Sequence, residues 1–385
     1  MAMNGNGLRR LLKTGIALGA HWSQLDRLIG SQRGYDQAPL VLGYHRVVRN
    51  FEESARHAMP SMLVSLDTLE KHLDWVAQRY RFVTLDEVAR WYANGRNRVS
   101  GRGPGRGRAQ GGDKPLAAVT FDDGYLDVYE NAFPLLQAKG IPFTAYVVTD
   151  LVGTDRLQLH DELYLLLSEV LRQEKAARQA IWQSVIEGYD TEPTRFQRLF
   201  QRVDDSGSPY LATRLMLHGL GGVEVRQALW VLQSHARVDD AIRRELQSMD
   251  WDMLRDLTRN GCTVGSHTRS HTLLGTASRA VMKVELEGSR RDLERQLQTP
   301  IRHLAYPDGS YNASALEAVR AAGYETACTT DSRAQPSAPT LTLPRRMLWE
   351  GACMDSLGQF SPAILSCQVN GVFDVLAAPS LGGEQ

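Results

Sequence analysis

Two adjacent carboxylates, Asp122 and Asp123, follow an apolar segment with the pattern of a strand, residues 116–121. In α/β folds with parallel strands, ligands bind at the carboxyl ends of the strands. Neighbouring carboxylates repel each other and raise each other's pKa unless they share a cation. The pair therefore indicates a metal site in which one carboxylate is a ligand and the other a base. Because Asp-Gly is a common turn dipeptide, a plain turn at Asp123-Gly124 is the alternative.

Two histidines four residues apart, His267 and His271, follow a second apolar segment, residues 262–265. At this spacing both side chains can face one side of a helical turn and meet one metal ion. The histidine pair is weak evidence by itself. Two histidines, one aspartate and an open fourth position, however, form the ligand pattern of a catalytic zinc site that activates water.

The segments around these motifs alternate between strand and helix patterns. Strand 116–121, a helix that ends near Gly140, and strand 143–148 form a parallel βα unit. The same alternation returns after residue 250, whereas residues 151–250 contain helical patterns without strands. We therefore predict an α/β domain that is interrupted by a helical insertion of about 100 residues.

The composition excludes several classes of protein. The chain has 385 residues, and its 44 basic and 44 acidic residues give a formal net charge of zero. These values exclude global disorder, and they argue against a whole-chain nucleic-acid or membrane binder. The four cysteines are scattered, so we expect reduced thiols and take the cytoplasm as the default location. No apolar run reaches the length of a transmembrane helix.

The N-terminal segment carries Arg9, Arg10 and Lys13 before a short apolar stretch, residues 15–20. This stretch is too short for the apolar core of a signal peptide. Residues 8–29 predict an amphipathic surface helix. The alternative is a weak contact with a membrane surface through the three cations.

A second distinctive segment, residues 95–114, is rich in glycine and arginine. It holds six basic residues and one aspartate, with almost nothing apolar to pack, which predicts a flexible loop. An RGG-like nucleic-acid segment is the alternative. Because no aromatic residue is present to stack on bases, we expect no nucleic-acid partner.

The three motifs TFDDGY (120–125), SHTRSH (266–271) and LAYPDG (304–309) resemble those of the polysaccharide deacetylase family, the NodB-homology enzymes of carbohydrate esterase family 4. The resemblance covers residues 38–150 and 250–350. The opening segment LGYHRV (42–47) is similar to the circularly permuted branch that includes poly-N-acetylglucosamine deacetylases. The resemblance implies a distorted (β/α)7-type barrel that removes acetyl groups from N-acetylated sugars.

The sequence patterns and this resemblance together give the predicted domain organisation. Residues 1–37 form an N-terminal helical tail, and residues 351–385 form a C-terminal tail. The barrel occupies residues 38–350, with the insertion at 151–250 and the loop at 95–114.

The resemblance also implies roles for particular residues. Asp123, His267 and His271 would bind a divalent metal, with zinc as the expected ion, and Asp122 would be the general base. The backbone N–H of Tyr125 would help to hold the oxyanion. These roles agree with amide hydrolysis, which needs an activated water, a proton acceptor and stabilisation of a negatively charged intermediate.

The general acid departs from the common family pattern, since no histidine follows His303 to supply the usual late histidine. In the permuted branch a histidine on the first strand takes this place, which points to His45. A structural hydrogen bond at the strand end is the alternative role for His45.

The third motif also departs from the pattern, because Ala305 stands where many relatives carry an arginine that orients the catalytic aspartate. Arg345 is the expected replacement near the site, and a surface salt bridge is the alternative. Arg345, Tyr306 and Pro307 are also expected to contact substrate in the groove.

The leading hypothesis is a metal-dependent N-deacetylase acting on an N-acetylated amino-sugar polysaccharide or oligosaccharide, with a connection to exopolysaccharide production. A metal-dependent amidase on a small non-sugar amide is the second. A non-catalytic carbohydrate-binding protein is the third, and it is motivated by the missing late histidine and by Ala305. The sequence leaves the oligomeric state open.

Overall fold

The computed structural model describes residues 5–35, 38–99, 114–189, 192–331 and 334–376. Most of the predicted loop at 95–114 lies outside these residues, although a helix continues as far as Val99. The chain divides into two compact units. The barrel unit consists of Met1–Arg49, Ser61–Val152 and Met249–Gln385, and the helical unit consists of Asn50–Pro60 and Gly153–Ser248.

Short, apolar strands form the centre of the barrel unit, as expected for a parallel sheet that is covered on both faces. In chain order they are β1 (Leu40–Tyr44), β2 (Arg46–Val48), β3 (Leu63–Ser65), β4 (Arg81–Phe82), β5 (Leu116–Phe121), β6 (Phe143–Val147), β7 (Thr263–Ser266), β8 (His303–Ala305), β9 (Thr326–Cys328) and β10 (Arg346–Met347).

The main sheet is parallel throughout, in the order β10-β1-β5-β6-β7-β8-β9, and β4 pairs with the start of β5. Leu343 forms a parallel bridge to Cys328 of β9, and β10 follows three residues later beside β1. The segment 343–347 therefore joins the two ends of the sheet and closes a barrel of seven strands. The predicted (β/α)7-type barrel is confirmed.

Helices follow the strands along the chain. The first are α1 (Gly5–Trp22), α2 (Leu25–Gln32), α3 (Phe51–Ser54), α4 (Leu66–Ala77), α5 (Leu85–Val99) and α6 (Phe133–Ala138). The next six are α7 (Leu159–Leu171), α8 (Lys175–Glu187), α9 (Pro193–Asp205), α10 (Pro209–Gly219), α11 (Gly222–His235) and α12 (Asp240–Glu245). The last are α13 (Trp251–Arg259), α14 (Arg279–Leu297), α15 (Ala313–Ala321), α16 (Pro362–Val369) and α17 (Val372–Leu376).

Local capping explains where several helices begin. The Ser65 hydroxyl accepts a hydrogen bond from the Thr68 N–H at the start of α4. Thr84 and Glu87 exchange hydrogen bonds at the start of α5, which makes a capping box.

The helical unit has its own apolar core, built from α7 to α11. Its helices α7 and α8 replace the single long helix that the pattern of residues 162–186 predicts, and the break lies at residues 172–174. Trp182 stacks on Phe200 with ring centroids 5.6 Å apart and donates its indole N–H to Asp204. Trp182 is therefore a core residue.

The two predicted tails contain helices that pack on each other within the barrel unit. Ala17 and Ala20 of α1 share a buried cluster with Ile364 and Cys367 of α16. All four cysteines are free thiols, and three of them are buried. Among the described residues, each helix is too short or too polar to cross a bilayer.

Candidate active site

The two carboxylates of the first motif lie directly after β5, at the carboxyl end of the barrel strand. The Asp122 N–H donates to the Tyr44 carbonyl at 2.9 Å, which extends the pairing with β1 by one residue. Asp123 and Gly124 then adopt φ values of 70° and 71°. A Cβ atom at Gly124 would lie 2.8 Å from Val147 Cγ1, so this turn requires glycine. Asp123, by contrast, holds a strained backbone conformation, as residues at functional sites often do.

Asp123, His267 and His271 come together at this end of the barrel, with their potential ligand atoms all within 4.8 Å of one another. Asp123 Oδ1 lies 3.3 Å from His271 Nε2 and 3.6 Å from His267 Nε2. A tetrahedral zinc ion with bonds of about 2.0–2.1 Å would separate its ligand atoms by about 3.3–3.5 Å. These three residues could therefore hold a divalent metal ion with little rearrangement.

The imidazole of His267 is oriented for this role by the third motif. The Ala305 carbonyl lies 2.9 Å from His267 Nδ1, where it accepts a hydrogen bond from the Nδ1–H group and leaves Nε2 as the ligand atom. Burial lowers the pKa of His267 to about 4, so the ring is neutral near pH 7, as a metal ligand must be. Burial also opposes the charge on His271, but hydrogen bonding and charge from Asp123 raise the pKa of His271 above its usual value.

The loop between the two histidines is held by Glu285, which projects from α14. One carboxylate oxygen of Glu285 accepts the backbone N–H groups of Arg269 (2.9 Å) and Ser270 (2.8 Å), and the other accepts the Ser270 hydroxyl (2.6 Å). Thr268 and His271 have φ values of 66° and 60°. The histidines therefore sit on a strained turn, and the helical turn inferred from their spacing is wrong.

Sequence reasoning missed Glu285, although α14 contains a signal for it. Position 285 falls on the buried face of the helix, between Met282 and Leu286 and one turn before Ser289. A carboxylate on a face that is otherwise apolar or small must find hydrogen-bond donors when it is buried. The neighbouring loop supplies those donors.

We predict that Glu285→Gln weakens metal binding by about 10- to 100-fold, because the loop that carries both histidines loses its anionic acceptor. Titration of zinc into the metal-free protein, followed by calorimetry, measures the affinity. Glu287→Gln is the matched control, since Glu287 is exposed on the same helix. Equal affinities of the two variants would contradict a positioning role for Glu285.

Arg345 forms a bidentate ion pair with Asp122. Its two terminal nitrogens lie 2.6 Å and 2.7 Å from the two carboxylate oxygens, and it also donates to the Thr120 hydroxyl and the Thr329 carbonyl. The side chains of Arg345 and Asp122 are 0% and 4% exposed, so the alternative of a surface salt bridge is wrong. Burial raises the pKa of Asp122, but the Arg345 charge, His267 and the Arg345 hydrogen bonds together bring this pKa below its usual value. Asp122 is therefore ionised near neutral pH.

Arg345, Tyr306 and Pro307 are all buried, and their contact with substrate stays a prediction. The Tyr306 hydroxyl donates to the Leu341 carbonyl, and its ring stacks on Tyr311. These contacts make Tyr306 a core residue under the barrel end. An open cavity of about 540 Å³ lies beside it, and its polar or aromatic lining includes Ser310, Tyr311, Asn312, Asp331 and Gln335.

His45 directly follows β1 and lies beside Asp122, which directly follows the neighbouring strand β5. Tyr44 is in register with Phe121, so the residues that follow them, His45 and Asp122, leave the sheet side by side. His45 is partly exposed and close enough to interact electrostatically with Asp122. Its ring makes no hydrogen bond to any described residue, which argues against the alternative role of a structural histidine.

Tyr125 follows the turn and is fully buried. The guanidinium of Arg46 lies over its ring, 5.4 Å from the centroid, and Arg46 Nε donates to Asp127 at 2.8 Å. These contacts hold the backbone after the turn, and the oxyanion role of the Tyr125 N–H stays a prediction. The Arg46–Asp127 pair is a second feature that the motifs alone did not reveal.

The model of the polysaccharide deacetylase family matches residues 109–181 and 200–327, which together exceed half of the chain. The chain belongs to the polysaccharide deacetylase family. The resemblance inferred from the three motifs is thus confirmed. As a member of this family, the chain is a hydrolase that acts on carbon–nitrogen bonds of carbohydrate amides.

Several solved structures are similar to this chain. The Streptococcus pyogenes deacetylase PplD, in complex with acetate, is 18% identical, with 83% of this chain and 95% of that chain covered and a TM-score of 0.49. IcaB from Ammonifex degensii is 18% identical, with 86% of this chain and 97% of that chain covered and a TM-score of 0.49. A de-N-acetylase from Aggregatibacter actinomycetemcomitans is 15% identical, with 84% of this chain and 97% of that chain covered and a TM-score of 0.47. No curated protein sequence matches the chain.

Proposed function

We propose that this member of the family is a divalent-metal-dependent N-deacetylase that hydrolyses the acetamido groups of an N-acetylated amino-sugar polysaccharide or oligosaccharide. The observation that carries the proposal is the convergence of Asp123, His267 and His271 beside the ion-paired Asp122. Two imidazoles, one carboxylate and an open position are the donor set of a hydrolytic zinc site, so zinc is the ion we expect.

Asp123, His267 and His271 would hold a divalent ion, which would supply Lewis-acid activation of water and of the amide carbonyl. Asp122, fixed by Arg345, accepts a proton from the attacking water. The Tyr125 N–H donates to the oxygen that gains negative charge. His45, on the neighbouring strand end, donates a proton to the leaving amine.

The site also bears on the two alternative functions. A non-catalytic carbohydrate-binding protein has no need for a strained turn that brings three ligand atoms within 4.8 Å of one another. An amidase on a small non-sugar amide would share the same metal ligands. We favour a sugar polymer because the family is one of polysaccharide deacetylases, and we extend the proposal to exopolysaccharide production because of the similarity of residues 42–47 to the permuted branch.

Acetate release from N-acetylglucosamine oligomers tests the proposal. We expect release by the purified protein, loss of release after dialysis against a chelator, and recovery when zinc is added back. A small acetamide of similar reactivity is the comparison substrate. Release from the small amide alone would favour the amidase, and chelator-resistant release would contradict metal dependence.

We predict that His45→Gln lowers kcat for acetate release by about 10²-fold, near the lower end of the range for general acid catalysis. The loss is modest because His45 is partly exposed, so solvent water can also protonate the leaving amine. His57→Gln is the control, since His57 lies outside the barrel unit. If both variants retain full activity, another group is the acid.

We also propose that the protein works in the cytoplasm. The support is that all four cysteines are free thiols, which persist in reducing compartments. Fractionation of cells that produce the full-length protein, with blotting of each fraction, tests this location.

A further inference from the structure

Helix α1 packs on the barrel unit through small residues and polar contacts. Ala17 and Ala20 are 0% and 7% exposed where they meet the cluster around Ile364 of α16. The Lys13 ammonium donates to the Ala352 carbonyl at 2.6 Å. This face of α1 is therefore fixed against the protein.

The contact is reinforced by a buried carboxylate at the start of α2. Asp26 is fully buried, accepts the Ser366 hydroxyl at 2.6 Å and lies 2.9 Å from His21 Nδ1. Because these partners belong to α1 and α16, they set the rotation of both N-terminal helices. The outward faces of α1 and α2 are thus defined by packing.

The outward face of α1 carries the large apolar residues. At about 100° per residue, they span an arc of about 160° opposite Ala17. Their exposed fractions run from 42% for Ile16 to 91% for Trp22. The members in α1 are Leu8, Leu11, Leu12, Ile16, Leu18 and Trp22. In an ordinary surface helix the large apolar residues face the protein, so α1 has the reverse orientation.

This apolar face continues into α2 through Leu25 and Leu28, which are 46% and 53% exposed. Eight of the seventeen exposed large apolar side chains among the described residues lie between Leu8 and Leu28. Scattered exposed apolar residues need no explanation, but a concentration of this kind marks an interaction surface.

The exposed charged side chains of residues 5–35 are all arginines. Arg9, Arg10 and Arg27 are exposed, whereas Asp26 is the one acidic residue in residues 5–35 and is buried. A two-fold contact with a second copy would bring these cations towards each other. An anionic lipid surface complements both the cations and the apolar stripe. Trp22 is also a residue type that favours the membrane–water interface.

We propose that α1 and α2 form a membrane-docking face that lies in the plane of an anionic lipid bilayer and holds the barrel unit at its surface. The sequence suggested Arg9, Arg10 and Lys13 as the cations of this contact. The Lys13 ammonium is hydrogen-bonded to the Ala352 carbonyl, so the positive charge comes from Arg9, Arg10 and, in α2, Arg27. The inference goes beyond the deacetylase function and does not depend on it, since α1 and α2 contain none of the active-site residues.

Flotation of the full chain with lipid vesicles tests this proposal. The vesicles contain phosphatidylcholine alone or phosphatidylcholine mixed with phosphatidylglycerol. The apolar variant carries Leu12→Gln, Ile16→Gln and Trp22→Gln. Its matched control carries Leu211→Gln, Val223→Gln and Trp230→Gln, which replace residues of comparable exposure in the helical unit. All six residues are exposed, so both variants should keep the thermal stability of the wild type.

We expect the wild type and the control to float with the phosphatidylglycerol vesicles, and the apolar variant to bind them at least about tenfold more weakly. Added salt and the double variant Arg9→Gln/Arg10→Gln should weaken binding to these vesicles. Acetate release from soluble oligomers should be unchanged in the apolar variant, which separates this result from a failure of the deacetylase proposal. Absence of wild-type flotation overturns the proposal. Equal binding of the apolar variant and its control to the vesicles would also overturn it. The same holds if the wild type is a dimer that does not bind vesicles and the apolar variant is a monomer.

Discussion

Replacing Asp122 with asparagine is expected to lower kcat for acetate release by about 10²–10⁴-fold, while the metal content of the protein stays the same. Asparagine has nearly the shape of aspartate and can still accept one hydrogen bond from Arg345, but it cannot take a proton from water. Asp122 is also outside the cluster of Asp123, His267 and His271. Loss of activity with full metal occupancy would therefore identify the base.

The measurement compares the initial rate of acetate release with the metal content of the same sample. Asp67→Asn is the matched control, because Asp67 is exposed on α4 and pairs with Lys71 at the surface. Asp122→Asn also leaves Arg345 with a weaker partner, so the assay temperature must lie well below the melting temperature of the variant. Activity equal to that of the control would mean that another group accepts the proton.

Replacing Arg345 with methionine is expected to destabilise the barrel unit by about 3–5 kcal/mol, since it leaves the carboxylate of Asp122 buried without its counter-ion. Arg345 donates four hydrogen bonds in the closed barrel, two of them to Asp122. Methionine fills a similar volume but supplies none of these bonds. The stability of Arg345→Lys should lie between that of the wild type and that of Arg345→Met, because lysine keeps the charge without the bidentate geometry.

The shift of the urea unfolding transition measures this loss. Arg346→Met is the control at the adjacent position, where the ion pair with Asp374 is partly exposed and contributes up to about 1 kcal/mol. The double variant Asp122→Asn/Arg345→Met should recover part of the stability that Arg345→Met loses, because it removes the unpaired charge. An Arg345→Met variant as stable as Arg346→Met would show that the ion pair does not stabilise the fold.

Glu285 and Arg345 act on different parts of the same site. Glu285 holds the turn between the two histidine ligands, and Arg345 holds the proposed base. Glu285→Gln should therefore change metal affinity, whereas Arg345→Met should change stability and the rate with the metal still bound. The two variants distinguish positioning of the metal from positioning of the base.

Local patterns in the sequence predicted most of the framework. The strand at Leu116–Phe121 has the bounds expected from its apolar pattern, and the caps at Ser65 and Thr84 form between residues three positions apart. Strand alternation, helical periodicity and capping depend on residues within a few positions of one another. This is why they can be read along the chain without knowledge of the fold.

The failures concern contacts between distant segments. The strand Arg346–Met347 has two residues and no pattern of its own, because its pairing with β1 defines it. The hydroxyl of Tyr306 reaches the distant Leu341 in the interior. The spacing of His267 and His271 suggested a helical turn, but hydrogen bonds from their loop to Glu285 hold a different backbone conformation.

By itself, the sequence determined the chemical groups of the site and their positions at strand ends: the Asp122–Asp123 pair, the two histidines and a helical insertion in an α/β chain. The tertiary structure decided which arginine meets Asp122, which residues are buried rather than open to substrate, and which face of α1 is exposed. The physical reason is that barrel closure brings residues 120–123, 267–271 and 343–347 together. Burial and ion pairing depend on that closure, whereas residue type and periodicity do not.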